Sequence, residues 1–385
     1  MHRDTQIALR RRIFDYLDSG TTTMADTVHR NPVADYVTTR QHEEERERLF
    51  RRQPLVVGLT GDLREPGDFL TDDSTGTPLL LVRQQDGDLQ AFANSCRHRG
   101  SRVADGRGNL RGAFTCPFHG WSYAADGSVA GIPGQAGFEN EDRSCLGLLP
   151  VPVAEMHGLI WARPEGGETI APKKLTGGLE DDLGGLEIGG FHHHRTEQRI
   201  VRMNWKLVVD TFLETYHFPV LHRESVNSIF FPNCGPFDAF GQNLRLIGVR
   251  RSIETLRGKP VETGALLPHL TIVYLLFPNT VLIYQAGHIE LWRIFPARQR
   301  GSDPVNETQF WVSLYAPERP ETDEAKAHWD ANLDLLLDVT MNEDFANGAT
   351  TQSGFAAGRA TELLFGRNEP ALIHFHKAVQ AALTE

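Results

Sequence analysis

The stretch CRHRGSRVADGRGNLRGAFTCPFHGWSY, residues 96 to 123, contains two Cys–His pairs in a regular arrangement. One residue separates Cys96 from His98, two separate Cys116 from His119, and seventeen lie between the pairs. Structural zinc sites accept two Cys and two His ligands, but they usually pair Cys with Cys and His with His. Here each pair is mixed. This arrangement favours a two-iron cluster to which each loop contributes one thiolate and one imidazole.

The charge of such a cluster explains why a protein would use this ligand set. Two ferric ions, two sulfides and two thiolates sum to zero when the imidazoles are neutral, whereas four thiolates leave a net negative charge. A less negative cluster accepts an electron more readily, which raises its reduction potential by hundreds of millivolts. The flanking residues agree: Gly100 and Gly120 permit tight turns, Pro117 stiffens the second loop, and Trp121 can shield the cluster from water.

The full pattern, C-x-H-x17-C-x2-H followed by Gly-Trp, resembles the Rieske [2Fe-2S] domain. We therefore expect Cys96, His98, Cys116 and His119 to bind a Rieske [2Fe-2S] cluster. Such a cluster transfers single electrons, so the chemistry must reside elsewhere in the chain. A zinc-stabilised ligand-binding protein is an alternative, and it would be colourless.

A second group of polar residues lies in the stretch NWKLVVDTFLETYHFPVLH, residues 204 to 222. The spacing predicts a helix from about residue 206 to 217. Such a helix places Asp210, Glu214 and His217 on one face. The alternative is a helix whose polar face is simply solvated.

A proline follows this predicted helix. Pro219 is expected to end or kink the helix, and the break allows His222 to approach His217. Two imidazoles that converge beside carboxylates indicate an iron site. Two unrelated histidines are the alternative.

An iron site of this kind needs a carboxylate as its third ligand. A second helix is predicted from about residue 322 to 350, with Asp344 on its apolar stripe and Glu343 at the stripe's margin. A carboxylate on a buried stripe is costly unless a cation or strong donors compensate it. We therefore expect Asp344 to bind the iron, with Glu343 as its competitor. The alternative for Asp344 is a salt bridge to an arginine such as Arg293 or Arg359.

The two constellations, in this order, resemble the catalytic α subunit of Rieske non-haem iron oxygenases over roughly residues 45 to 385. The resemblance implies an α+β protein, with a small all-β Rieske domain and a catalytic domain of helix-grip fold, in which an antiparallel sheet wraps around a long helix. It also implies a mononuclear Fe(II) ion bound by His217, His222 and Asp344. Family members assemble as homotrimers, with or without a β subunit.

In this family, the acid three residues before the first iron-binding His bridges the cluster of one subunit and the iron of its neighbour through hydrogen bonds. In this chain that acid is Glu214, where the commoner pattern has Asp. Asp210 is the alternative for the bridge, or else a group that holds His217 or His222 in place. A Glu at this position resembles the branch of the family that oxidises quaternary ammonium compounds such as carnitine.

The resemblance implies a terminal oxygenase, as in aromatic hydrocarbon catabolism. It would use O2 and electrons from an external NAD(P)H-dependent reductase, directly or through a ferredoxin, for mono- or dioxygenation of an aromatic or other small organic substrate. The reductase is expected to be separate because the chain shows no nucleotide-binding motif of its own. One alternative is a Rieske monooxygenase that hydroxylates or oxidatively demethylates a quaternary ammonium compound. The alternative of another class is a Rieske electron carrier with a non-catalytic binding domain.

No motif identifies substrate-binding residues. Segments 226–250 and 270–295 are rich in Phe, Leu, Ile and Tyr and are expected to line the pocket, although the same composition fits ordinary core. A cationic substrate would need an aromatic cage with a carboxylate nearby. For such a cage the sequence offers Tyr274, Tyr284, Trp292 and Glu290.

Composition limits the partners and the compartment. The chain has 385 residues and a formal net charge of -11, which argues against a non-specific nucleic-acid binder. No apolar run approaches the about 20 residues of a membrane span, and the charged start lacks the apolar segment of a secretory signal. Only four cysteines occur, two of them in the cluster motif, so we expect a cytoplasmic protein.

The organisation along the chain predicts three regions. Residues 1–48 are expected to form an N-terminal helical arm, because their acidic and basic side chains are spaced to pair along a helix. Residues 49–165 are expected to form the Rieske domain, and residues 166–385 the catalytic mononuclear-iron domain. A stretch rich in Gly and Pro marks the second boundary.

Overall fold

The structure is a computed structural model that describes residues 1–285 and 287–384. The chain forms two compact units, one of which is Phe50–Pro172, while the other combines Met1–Leu49 with Lys173–Glu385. The segment expected to form an N-terminal arm therefore groups with the C-terminal part of the chain. The last residue of the third predicted region, 385, lies outside the described residues. Within the described part of the chain, no helix combines the length and the apolar character needed to cross a membrane.

The regular structure combines antiparallel sheets with helices. The strands are β1 (His29–Pro32), β2 (Leu55–Leu59), β3 (Asp68–Asp72), β4 (Leu79–Arg83), β5 (Leu89–Ala93), β6 (Arg107–Asn109), β7 (Phe114–Thr115), β8 (Ser122–Tyr123), β9 (Val129–Gly131), β10 (Pro150–Val151), β11 (Val153–Met156), β12 (Leu159–Ala162), β13 (His192–Val201), β14 (Phe237–Phe240), β15 (Asn243–Val249), β16 (Leu270–Leu276), β17 (Thr280–Gln285), β18 (His288–Pro296), β19 (Thr308–Ala316) and β20 (Glu362–Phe365). The helices are α1 (Arg3–Ser19), α2 (Ala34–Val37), α3 (Thr39–Glu45), α4 (Pro172–Thr176), α5 (Glu180–Leu186), α6 (Trp205–Asp210), α7 (Asp323–Val339), α8 (Phe345–Ala356) and α9 (Pro370–Thr384).

The smaller unit is all-β, as the sequence predicts, and consists of three antiparallel sheets ordered β10-β5-β4-β3-β6, β11-β12-β2 and β7-β8-β9. Its centre is β4, which is apolar and buried along its length apart from the charge of Arg83. Because side chains alternate along a strand, Leu80 and Val82 pack into the cluster that holds the two motif cysteines. Leu79 and Leu81 pack on the opposite side. A strand covered on both faces explains the continuous run of apolar residues.

The larger unit is built on a seven-stranded antiparallel sheet, ordered β13-β19-β18-β17-β16-β15-β14. α6 packs on β18 and β19, α7 on β13 and β19, and α9 on β14 and β15. α7 and α8 are joined by the π-helical turn Thr340–Asp344, so that helical structure runs from Asp323 to Ala356. The predicted α+β class, with an antiparallel sheet packed against a long helix, is confirmed.

The helix predicted from about residue 206 to 217 is wrong in its length. α6 ends at Asp210, well before Pro219, and successive turns follow it. The reason is that side chains compete for the backbone. The Glu214 carboxylate accepts hydrogen bonds from the amides of Tyr216 and His217, which a continuous helix would pair with carbonyl groups.

A buried ion pair anchors α6. Lys206 Nζ donates to the Glu45 carboxylate, and Trp205 Nε1 donates to its second oxygen at 2.7 Å. We expect Lys206→Met to lower the free energy of unfolding by about 3–5 kcal/mol, because an unpaired buried carboxylate would remain. The double variant Glu45→Gln/Lys206→Met should show a clearly smaller decrease in the free energy of unfolding. Urea denaturation measures both, and a single variant as stable as the wild type would contradict the expectation.

Candidate metal centres

The two Cys–His loops fold in the same way. The Cys96 amide donates to the Ser101 carbonyl at 2.7 Å, and the Gly100 amide donates back to the Cys96 carbonyl at 2.8 Å. Cys116 and Gly120 repeat both bonds in the second loop, at 2.8 and 3.0 Å. Gly100 and Gly120 have φ values of 79° and 74°, a left-handed conformation that glycine adopts at little cost. The repeated turn presents one Cys and one His from each loop.

The loops bring the four side chains together. Cys96 and Cys116 are 3% and 2% exposed, and the rings of His98 and His119 lie 4.5 Å apart between their centroids. His98 Nδ1 is buried and has no hydrogen-bond partner among the described residues. Buried polar atoms are normally paired. An unpaired imidazole nitrogen beside two buried thiols therefore fits a metal ligand.

The mixed pairing of the donors argues for a two-iron cluster over a single zinc ion. Structural zinc sites usually pair Cys with Cys and His with His, whereas each of these loops contributes one Cys and one His.

Backbone and side-chain donors surround the sulfur atoms. Burial alone would raise the pKa of the Cys116 thiol, but the backbone amides of Phe118 and His119 outweigh it and lower this pKa. The Tyr123 hydroxyl lies 3.2 Å from Cys96 Sγ. Such donors stabilise negative charge on sulfur, which is one way in which proteins adjust a cluster's potential.

Trp121 has the shielding position that the sequence predicts for it. Its side chain is 3% exposed, and its ring stacks on that of His98 with centroids 5.2 Å apart and an interplanar angle of 6°. Phe138 packs edge-on against both rings. His98 is therefore covered by aromatic side chains, whereas His119 is exposed.

In the larger unit, three further side chains converge. The Nε2 atoms of His217 and His222 lie 3.1 Å apart, and Asp344 Oδ1 lies 3.4 Å from the first and 3.2 Å from the second. Ligands on one face of an octahedron, with bonds of about 2.1 Å, are about 3 Å apart. The three atoms fit one metal ion and leave its remaining positions open.

The other ring nitrogens of these histidines contact carboxylates. His217 Nδ1 donates to Glu214, and His222 Nδ1 donates to Glu343 Oε2 at 2.7 Å. Ser225 Oγ donates to the same Glu343 oxygen at 2.8 Å. These bonds hold both rings in the tautomer whose Nε2 is free to bind a metal.

The electrostatics of the site favour a cation. Burial opposes charging of His217, but the carboxylates of Asp344 and Glu214 outweigh it and raise its pKa to about 9. Against the same opposition from burial, Asp344 and Glu343 raise the pKa of His222. Burial would raise the pKa of Asp344, but both histidines lower it. The carboxylates that attract protons here attract a divalent cation equally, and metal binding would release those protons.

The π-helical turn explains how Asp344 and Glu343 both reach the histidines. On a regular helix, neighbouring side chains point about 100° apart. The wider turn at Thr340–Asp344 directs Asp344 between the two Nε2 atoms and Glu343 to the opposite side of the His222 ring. Among the described residues, the charged partners of Asp344 are thus the two histidines.

Asp210 occupies a different position from the one that the sequence suggests. Its carboxylate accepts hydrogen bonds from the Tyr36 hydroxyl and from His376 Nε2, both at 2.9 Å. Among the described residues it makes no hydrogen bond to His217 or His222, so the expectation that it holds one of these rings is wrong. Tyr36 and His376 lie far away in sequence, which is why local spacing could not reveal this network.

The second partner of His222 provides a test of the arrangement. We expect Glu343→Gln to lower the affinity for the mononuclear iron by about 10–100-fold, because the supporting bond on His222 loses its charge. Chelator titration followed by iron analysis measures this, with cluster absorbance as the internal reference. Ser225→Ala removes a hydrogen bond to Glu343 but keeps its carboxylate, so the iron affinity should change less. Equal iron retention in Glu343→Gln and the wild type would contradict the role of Glu343.

A cavity of about 140 Å³ adjoins the three converging side chains, all of which line it. Three phenylalanines contribute to its wall: Phe212, Phe218 and Phe230. Most of the remaining lining residues come from segments 226–250 and 270–295, which the sequence predicts to line the pocket. Residue 286 of the second segment lies outside the described residues. The cavity is thus apolar apart from a few polar groups.

The four residues that the sequence offers for an aromatic cage do not assemble around the described cavity. Val273 and Ile283 line the cavity, so their strand neighbours Tyr274 and Tyr284 point to the opposite face of the sheet. There the Tyr274 hydroxyl donates to Asp182 at 3.2 Å. Of the four residues offered for the cage, Glu290 alone is among the described residues that line the cavity.

Comparison with known protein families identifies both parts of the chain. The family model for the ring hydroxylating alpha subunit (catalytic domain) matches residues 188–385. The family model for the Rieske [2Fe-2S] domain matches residues 53–150. The first match covers the sheet and helices that carry the three converging side chains, and the second covers both Cys–His loops.

Individual relatives are similar over part of the chain. The carnitine monooxygenase oxygenase subunit of Acinetobacter baumannii is 28% identical over 201 residues, which cover 51% of this chain and 54% of that protein. The biphenyl 2,3-dioxygenase subunit alpha of Rhodococcus jostii is 30% identical over 292 residues, which cover 73% of this chain and 60% of that protein. The chain thus spans about half the length of the first of these relatives.

Among solved structures, a quaternary ammonium Rieske monooxygenase in complex with L-carnitine has a TM-score of 0.77. It is 20% identical, and the alignment covers 92% of this chain and 96% of that one. At this identity the likeness shows a shared fold.

Proposed function

The chain belongs to the ring-hydroxylating alpha subunit family and carries a Rieske [2Fe-2S] domain, and from this premise we propose that it is the terminal oxygenase component of a multicomponent enzyme. Cys96, His98, Cys116 and His119 would hold the cluster. The reaction would be a mono- or dioxygenation of a small organic substrate.

The convergence of His217, His222 and Asp344 on the wall of an apolar cavity carries this proposal. Three ligands on one side of an ion leave positions for O2 and for a neighbouring substrate. An electron carrier with a non-catalytic binding domain has no use for such a site. The same geometry therefore argues against the alternative of another class.

The residues of the chain have separate parts in this reaction. A bound iron ion would supply the activation of O2. Glu214 and Glu343 hold the two imidazole rings in place. Phe218 and Phe230 exclude water and hold an apolar part of the substrate beside the metal ligands.

Electrons would come from a separate NAD(P)H-dependent reductase, directly or through a ferredoxin. We propose a cytoplasmic homotrimer, with or without a β subunit, in which Glu214 forms the bridge between neighbouring subunits. None of the four cysteines, all of which lie among the described residues, forms a disulfide, which suits a reducing compartment. The exposed His119 suits transfer to another subunit.

Aromatic and other small apolar substrates suit the cavity best. Its volume of about 140 Å³ is close to that of an engineered apolar cavity of about 150 Å³ that binds benzene. A quaternary ammonium compound is the second candidate, supported by the relative named carnitine monooxygenase oxygenase subunit and by Glu214 in place of Asp. Against it, only Glu290 of the four residues offered for an aromatic cage lines the described cavity.

Oxygen uptake with a surrogate reductase tests the proposal. Aromatic acids, simple arenes and trimethylammonium compounds would be compared, with product analysis to separate mono- from dioxygenation. We expect one class to stimulate O2 consumption and to yield an oxygenated product. If the cluster is reduced and reoxidised but no compound is oxygenated, the electron-carrier alternative is favoured.

A further inference from the structure

One acidic side chain of the cavity has no part in the metal site. Glu214 and Asp344 contact the histidines, whereas Glu290 lies on β18 in the sheet that forms the opposite wall. Glu290 is 2% exposed, although charged residues are rarely buried unless they are paired. Its position therefore requires an explanation.

The strand register shows how unusual this carboxylate is. Leu246, Val273, Ile283 and Glu290 are successive partners across β15, β16, β17 and β18, and all four line the cavity. The first three are apolar. A fourth apolar side chain would complete a uniform wall, so the carboxylate gives one end of this row a distinct chemistry.

One oxygen of Glu290 is left without a partner. Oε1 lies 3.2 Å from His288 Nε2, and the His288 ring packs against Trp329 with centroids 5.4 Å apart. Oε2 is buried and has no hydrogen-bond partner among the described residues. A buried acceptor without a donor is unfavourable, and a ligand that fills the cavity could supply that donor.

The guanidinium of Arg250 does not take this role. Arg250 interacts favourably with the charge of Glu290. However, its guanidinium donates instead to Gln285 Oε1 at 2.7 Å and to Thr271 Oγ1 at 3.2 Å. The protein itself thus provides positive charge near Glu290, whereas Oε2 lacks a hydrogen-bond donor among the described residues.

We propose that Glu290 is a specificity-determining residue that selects ligands with an N–H or O–H group. The donor would bind Oε2 and leave the apolar part of the ligand against Phe218 and Phe230. This inference rests on the proposed function in one respect, that the ligand of this cavity is the substrate. A quaternary ammonium group has no N–H group. It should therefore bind more weakly than the corresponding protonated tertiary amine.

Binding of matched pairs to the iron-loaded enzyme without O2 tests this selection. One pair is benzyl alcohol and ethylbenzene, which differ in the O–H group, and the other is trimethylammonium and tetramethylammonium, which differ in the N–H group. By calorimetry, at least one donor should bind roughly tenfold or more tightly than its partner, because a site built for a donor rejects the analogue that lacks it. The pair that shows the larger ratio identifies the donor as hydroxyl or amine.

Variants connect the preference to Glu290. Glu290→Leu should reduce both ratios to about one and strengthen binding of ethylbenzene. Glu290→Gln, which keeps the shape and one neutral acceptor, should lose the preference for the ammonium ion first. Glu197→Gln is the matched control, a carboxylate of the same sheet on β13 that pairs with Arg195 and Arg199.

Equal affinities within both pairs in the wild type would overturn the proposal. Ratios that survive in Glu290→Leu would overturn it as well. Neither measurement requires turnover, so a protein that binds selectively but oxidises nothing would refute the proposed function and leave the role of Glu290 intact.

Discussion

His222→Ala should abolish substrate-dependent oxygen consumption, with a loss of more than about 100-fold. Loss of even a hydrogen-bond partner of a metal ligand costs about 10–100-fold, and this variant removes a proposed ligand itself. The visible absorbance of the cluster should stay unchanged, because Cys96 and Cys116 belong to the other compact unit. Oxygen uptake and the visible spectrum, recorded on the same preparation, measure both effects.

A second histidine controls for loss of an imidazole as such. His328 is exposed on α7 and contacts the neighbouring Asn332. His328→Ala should therefore keep full activity. If His222→Ala retains substantial oxygenation, the proposed position of the iron is wrong.

In enzyme loaded with ample iron, so that both metals are bound, Glu214→Gln is expected to lower turnover by at least about 100-fold. The amide of the Gln side chain can still occupy the space beside His217. It carries no charge, however, so it holds the imidazole less firmly and cannot form the same bridge for electron transfer. The readouts are the iron content and the rate at which the reduced cluster is reoxidised by O2 and substrate. Reoxidation should slow in parallel with turnover.

Two further variants separate a bridge from a support for the histidine. Glu214→Asp restores the residue of the commoner family pattern and should recover part of the activity. Glu343 supports the other histidine, His222. Glu343→Gln should therefore lower iron retention without slowing electron transfer in the fully loaded enzyme. A fully active Glu214→Gln enzyme would refute the bridging role of Glu214.

The cluster motif could be read from the sequence because its geometry is local. Each loop closes through hydrogen bonds between residues at most five positions apart, from Cys96 to Ser101 and again from Cys116. The glycine that each turn needs is at the same place in both loops. Spacing alone therefore indicates the ligand arrangement.

For the proposed second centre, the sequence indicates residues that the structure brings together, but not the geometry by which they meet. The helix expected to align Glu214 with His217 ends at Asp210, and the Glu214 carboxylate takes the amides that a longer helix would have used. Asp344 reaches the histidines through a π-helical turn. Helical periodicity assumes regular hydrogen bonding, and it cannot reveal either departure.

The wall of the cavity could not be derived from the sequence, because it depends on the register of four strands. Strands buried on both faces show no alternation of apolar and polar residues, so nothing in the sequence distinguishes the side of Val273 from that of Tyr274. For the same reason, the sequence does not show that Glu290 faces the cavity. The strand register places it at the end of a row of apolar side chains.

The central claim, that this chain binds two unlike iron centres, is tested most directly by counting iron and acid-labile sulfide per chain. After assembly with ample iron and sulfide, the wild type should be brown-red and contain about three iron ions and two sulfides. The double variant His217→Ala/His222→Ala should keep the colour and both sulfides and lose one iron. A pale wild type, or a double variant that retains all of its iron, would contradict the account.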